Sequence, residues 1–143
     1  MSSNSRIISL LIVITFSLNL YAKTTQKNLN TTSLMLIAMD YEKANKHKKA
    51  LSVYMTLLKQ ENKYEYLEHI LSLLLQMQEY DETLTVLAKY KHIFKKNQEH
   101  LMRLEISTLL KIKQYTMALN FSYKLLEKYK NGKNYETVGI ILY

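Results

Sequence analysis

The sequence predicts an all-α fold: a right-handed superhelical α-solenoid of antiparallel helix hairpins, about 3.5 repeats long. Three observations carry the prediction. First, the stretch from Leu74 to Leu84 (LLQMQEYDETL) recurs 35 residues later as Leu109 to Leu119 (LLKIKQYTMAL). A degenerate copy lies 33 residues upstream, where Tyr41 closes one helix and Ala50-Leu51 opens the next. Second, the 143 residues include only 2 Gly and no Pro, too few turn-makers for a β-sandwich. Third, apolar residues recur at helical spacing, as in Leu51, Tyr54, Leu57 and Leu58, or Leu67, Ile70, Leu71, Leu74 and Leu75. One short helix cannot hide such a stripe, whereas stacked hairpins bury a continuous core.

Residues 1–22 read as an export signal. Arg6 supplies a positive start, Ile7 to Leu20 an apolar segment, and Ala22 a small residue at the cleavage edge. Only 16 residues separate Arg6 from Lys23, short of the ~20 that span a bilayer, so a cleaved signal is preferred over an anchor. Either way the remainder is expected outside the cytoplasm, in the periplasm or associated with the cell envelope, which argues against a nucleic-acid partner. Residues 23–30 (KTTQKNLN) form a polar linker.

Helices are then expected in sequence. The first runs from Ser33 to about Ala44, with Thr31, Thr32 and Ser33 as candidate caps, and the turn falls at Asn45-Lys46. The second runs from Lys48 to Gln60, and the third from Tyr64 to Met77. Asp81 should cap a fourth ending near Lys96; Gln98 to Ile112 is the fifth; Thr116 should cap a sixth running to Lys130. Gly132 is placed to stop the sixth as a left-handed residue past its end. A seventh begins at Asn134.

These residues resemble the tetratricopeptide repeat, a 34-residue helical hairpin. Leu34, Ile37, Ala38, Tyr41, Ala50, Tyr54 and Leu57 fit a first repeat over 31–63. Leu67, Ile70, Leu74, Tyr80, Thr83 and Leu87 fit a second over 64–98. Met102, Leu109, Tyr115, Ala118 and Leu125 fit a third over 99–131. Tyr135, Val138, Gly139 and Leu142 fit the start of a fourth over 132–143. The array therefore occupies 31–143. The pattern departs at Leu71 and Ile106, which replace a small residue, and at Glu105, which stands where an apolar residue is expected and suggests a one-residue shift of the fifth helix. The match to a repeat start favours a piece of a longer repeat protein. Val138, Ile141 and Leu142 would leave one side of the last helix open to self-association.

Nothing in the sequence points to catalysis. His47, His69, His92 and His100 fall apart from one another, with no Cys and no His-Glu-x-x-His for a metal. Glu68-His69 are neighbours that cannot face each other on a helix. Two glycines make no phosphate loop, and no nucleophile elbow is present. No cofactor and no metal are expected, and the chain is read as non-enzymatic.

The resemblance implies instead a concave groove lined by the first helix of each hairpin. Carried onto this sequence, its positions are Thr32, Met35, Met39, Glu42 and Lys43 in the first repeat. In the second they are Glu65, Glu68, Ser72, Leu75 and Gln76; in the third, His100, Arg103, Ser107, Leu110 and Lys111. Met35 and Met39 stand where carboxylate-gripping members carry Lys and Asn, so that mode is not expected. Adaptable methionines with leucines and mixed charge suit an apolar peptide or helix. The expected function is a protein–protein interaction scaffold of the bacterial cell envelope. The alternative rests on a net charge of +8: a basic peripheral module docking on anionic membrane or cell-wall polymer.

Overall fold

Three of the interhelical turns are built alike. The computed structural model describes residues 30–142, and the signal and most of the linker lie outside them. The described residues form α1 (30–43), α2 (His47–Gln60), α3 (Tyr64–Gln76), α4 (Tyr80–Tyr90), a 3₁₀ turn (Lys95–Asn97), α5 (Gln98–Lys111), α6 (Tyr115–Lys128) and α7 (Gly132–Leu142). Asn45, Gln78 and Lys113 take φ of 54°, 58° and 61° at the α1–α2, α3–α4 and α5–α6 turns. After each, the next residue's N–H reaches back five residues: Lys46 to Tyr41 O (2.8 Å), Glu79 to Leu74 O (2.9 Å) and Gln114 to Leu109 O (2.9 Å). With the shorter bonds from Asn45 to Glu42 O, Gln78 to Leu75 O and Lys113 to Leu110 O, these are Schellman closures that satisfy the helix-end carbonyls. A three-residue turn of this kind sends the chain back antiparallel.

The same geometry fixes the small-residue sites. The carbonyls of Lys46, Glu79 and Gln114 accept the first bonds of the following helices, from Ala50, Thr83 and Ala118. The side chains of the three donors, Ala50, Thr83 and Ala118, are fully buried, because each lies where its helix meets its neighbour. The one polar member, Thr83, donates its hydroxyl to Glu79 O at 2.8 Å, so its burial leaves nothing unsatisfied. Thr108 and Ser122 do the same with Leu104 O and Leu119 O, at 2.7 Å each.

The chain divides between Asn62 and Lys63 into two units. In the first, Ala38, Ala50, Tyr54, Leu57 and Leu58 are fully buried. Tyr54 donates its hydroxyl to Glu42 at 2.9 Å, and Thr31 donates to Glu61 at 3.3 Å, tying α1 to α2 at both ends. In the second unit, α3 to α7 pack successively, each on the next. Ile106, Leu109, Ala118 and Leu125 form one buried cluster against which Leu84, Met102, Leu110, Phe121 and Ile141 also pack. Each fully buried Leu or Ile contributes about 1.5–3 kcal/mol relative to exposure. The fold class is the expected one: all-α, of helix hairpins in sequence.

Several local expectations are corrected. α4 ends at Tyr90 rather than near Lys96, because Phe94 leaves the helical path to meet Tyr64 edge-on (centroids 5.6 Å, planes at 65°). Glu79 and Gln114, not Asp81 and Thr116, occupy the N-cap positions of α4 and α6, and neither caps with its side chain. Gly132 has no positive φ; it opens α7 instead of closing α6. The cap there is Asn131, whose Oδ1 accepts from the Asn134 N–H at 3.1 Å. α5 accommodates Glu105 without exposing it: the residue is 5% exposed, and both its oxygens accept from Lys91 Nζ, at 2.9 and 2.8 Å.

Candidate functional site

The second unit carries a cavity of about 310 Å³ between α3 and α5. Buried Leu71 and half-buried Leu75 and Leu104 form its apolar wall, and Tyr64, Glu68, Ser72 and His100 its edges. Helical spacing explains the lining: Glu68, Leu71, Ser72 and Leu75 recur at three- and four-residue steps on one face of α3. Four positions expected from the repeat pattern, Glu68, Ser72, Leu75 and His100, are thereby brought to one place.

Charge at one edge is coupled to burial. The Tyr64 phenol is pushed up to about 12, first by burial and then by the Glu68 carboxylate beside it, while a hydrogen bond with Asn97 opposes the rise. At neutral pH Tyr64 is therefore a protonated donor next to an acceptor. An apolar wall with a phenol, a carboxylate and an imidazole at its rim can take an apolar side chain and orient the polar backbone on either side of it.

The remaining expected positions have other surroundings. Glu65, Gln76, Ser107 and Lys111 are exposed on α3 and α5, and Ser107 donates to Leu104 O at 3.0 Å. Leu110 packs on the core cluster and is half-buried, so it serves the hairpin as well as its surface. In the first unit Thr32 and Lys43 are exposed, Met35 is half-buried and Met39 is 37% exposed. Glu42 is half-buried as the acceptor for Tyr54.

Arg103 is committed elsewhere. It pairs with Glu99 one turn earlier on α5, and the same Glu99 Oε1 accepts from Asn131 Nδ2 (2.8 Å) and Asn134 Nδ2 (3.1 Å). The bonds from Asn131 and Arg103 hold the Glu99 carboxyl below its ordinary value. Asn134, fully buried, also donates to Tyr129 O at 2.7 Å. This network joins the start of α7 to α5. The resemblance could not reveal it, because it ranks positions by their place in a repeat and not by what the next repeat offers them. The one usable signal in the sequence is Asn131-Gly132, expected to stop α6 and found to start α7.

Among the described residues no group of three or more His, Asp or Glu side chains converges as a metal ion would require. No family model matches the sequence. No curated protein matches it either. The structure, however, is similar to that of the MamA RS-1 ArsTM double mutant, with a TM-score of 0.59 at 22% identity. The likeness covers 78% of this chain and 63% of that one. MamA contains tetratricopeptide repeats, so the fold of this chain is a tetratricopeptide-like helical repeat.

Proposed function

We propose that the chain is a non-catalytic scaffold of the bacterial cell envelope that binds a peptide or helix of a partner protein, as an exported tetratricopeptide-repeat protein would. The observation that carries this reading is the α3–α5 cavity, where Glu68, Ser72, Leu75 and His100 gather around an apolar wall. The partner segment would place an apolar side chain against Leu71, Leu75 and Leu104 and engage Tyr64 and Glu68 with polar groups. Met35, Met39 and Lys43 hold the matching positions of the first repeat. Export is supported by Arg6 and the apolar run Ile7 to Leu20. Val138 is buried and Ile141 packs inward, but Ile140 (68% exposed) and Leu142 (57%) offer α7 a surface for self-association.

The test is capture of partners from an envelope extract by immobilised protein. Ser72→Trp fills the cavity and Leu75→Glu charges its wall; both should abolish capture while far-ultraviolet circular dichroism stays unchanged. Capture that persists in both variants rules the cavity out. A second reading, docking on anionic membrane or cell-wall polymer, is favoured by the net charge of +8 and the exposed Lys46, Lys48, Lys49, Lys95 and Lys96. It predicts binding that falls steeply between low and physiological salt, which a mainly apolar contact does not.

A further inference from the structure

A second cavity lies on the other flank of α5. Gln98 and Met102 line this one, whereas His100 and Leu104 line the first, and two residues along a helix correspond to a rotation of roughly 200°. The second cavity, of about 590 Å³, is bounded by the α4–α5 connection, α5 and α6. That volume falls within the ~300–1,000 Å³ of ordinary small-ligand pockets.

Its wall is apolar: Met102 and Phe121, both half-buried. Its rim is basic, made by Lys91, Lys124 and Lys128 with His92. Lys91 is neutralised, since it holds both oxygens of Glu105 at 2.8–2.9 Å. The other two lysines are not. Lys124 Nζ sits 5.3 Å from the Phe121 ring centroid, and Lys128 donates to the neutral Gln98 side chain at 2.6 Å. Glu127 also lines the cavity, yet among the described residues neither lysine forms an ion pair with it. An ammonium over a ring face keeps N–H donors for another acceptor, and an anion seated there gains charge-assisted bonds from both lysines.

We infer that this cavity binds a small amphipathic anion: a flat apolar body against Phe121 and Met102, with a single acidic head group on Lys124 and Lys128. The charge supplies orientation and the ring supplies contact area. The site is separate in residues from the α3–α5 groove and stands whether or not that groove binds a partner.

The probe pair is 8-anilinonaphthalene-1-sulfonate and its uncharged analogue N-phenyl-1-naphthylamine, titrated by fluorescence into the full chain. The sulfonate should bind the parent chain with a saturable, single-site curve, and at least tenfold more tightly than the neutral compound. Lys124→Gln with Lys128→Gln should weaken the sulfonate about tenfold or more and leave the neutral compound unaffected. Both lysines are exposed, so the double variant keeps the fold. Phe121→Leu should weaken both probes. Leu75→Glu, in the groove, should change neither. The inference is overturned if the parent chain does not bind the sulfonate, if the lysine variant binds it as the parent does, if the neutral compound binds equally well, or if Leu75→Glu removes binding.

Discussion

Lys91→Met tests the packing of the second unit at its most polar point. The substitution leaves the Glu105 carboxylate, whose side chain is 7% exposed, without the cation that meets both its oxygens. Removing one partner of a buried ion pair costs about 3–5 kcal/mol, because the remaining charge stays desolvated. The Lys91 side chain is 15% exposed, so water reaches part of the gap and the expected cost is about 3 kcal/mol, at the low end of that range. Replacing both residues, Lys91→Met with Glu105→Leu, removes the charge along with its partner. The methionine thioether can still rest against Phe121, which Lys91 Nζ approaches to 5.2 Å. The double variant should therefore lie within about 1 kcal/mol of the parent, giving a coupling of roughly 2 kcal/mol or more. Urea unfolding followed by circular dichroism, fitted for the transition in which α5 and α6 melt, measures each corner of the cycle. A single-variant cost below about 1 kcal/mol, or costs that simply add, would refute the buried pair.

Three further outcomes follow from other parts of the fold. Ala118→Leu forces three extra carbons into a fully buried site and should cost on the order of 1–3 kcal/mol, read as a lowered urea midpoint; no change would mean that the helices do not meet there. Lys113→Gly relieves an L-residue held at φ 61°, a strain of about 1–2 kcal/mol offset by the greater unfolded freedom of glycine. It should raise stability by roughly 0.5–1 kcal/mol, and Asn45→Gly by less, since asparagine tolerates that region; destabilisation by Lys113→Gly would contradict the Schellman turn. The Tyr64 phenol, pushed up to about 12, should stay protonated while the unfolded chain ionises near 10, so stability falls as pH rises from about 10 to 12. Among 12 tyrosines it is isolated by subtracting the ultraviolet titration of Tyr64→Phe, and Glu68→Gln should lower its midpoint only part of the way, burial being the larger cause.

The repeat was legible because stacking demands the same residue type at the same place. Ala50, Thr83 and Ala118 recur in the sequence because each is the fourth residue of a helix pressed on its neighbour. The turns between them were legible in position but not in chemistry. Gln78 and Lys113 occupy left-handed conformations that favour glycine, and no local propensity marks them. What failed was decided by distant groups. Phe94 ends α4 by turning to Tyr64, thirty residues away; Glu105 is tolerated because Lys91 reaches it; Asn131 starts α7 while bonded to Glu99. The site divides in the same way. Helical spacing puts Glu68, Ser72 and Leu75 on one face of α3, where α5 brings His100 to them, whereas Glu99, the partner of Arg103, is shared with asparagines at the start of α7.

Site-specific photocrosslinking in living cells tests most directly whether the α3–α5 face receives a partner protein, as proposed. Gln76, exposed on α3 beside the cavity's Ser72 but outside its lining, and Tyr123, 49% exposed on α6 and outside either cavity lining, are each replaced by a benzophenone-bearing residue. Irradiation should give a discrete higher-mass adduct with another protein from position 76, absent from position 123 and lost when Leu75→Glu is added. An equal adduct at both positions, or none at position 76 while position 123 crosslinks, would contradict partner binding at this face.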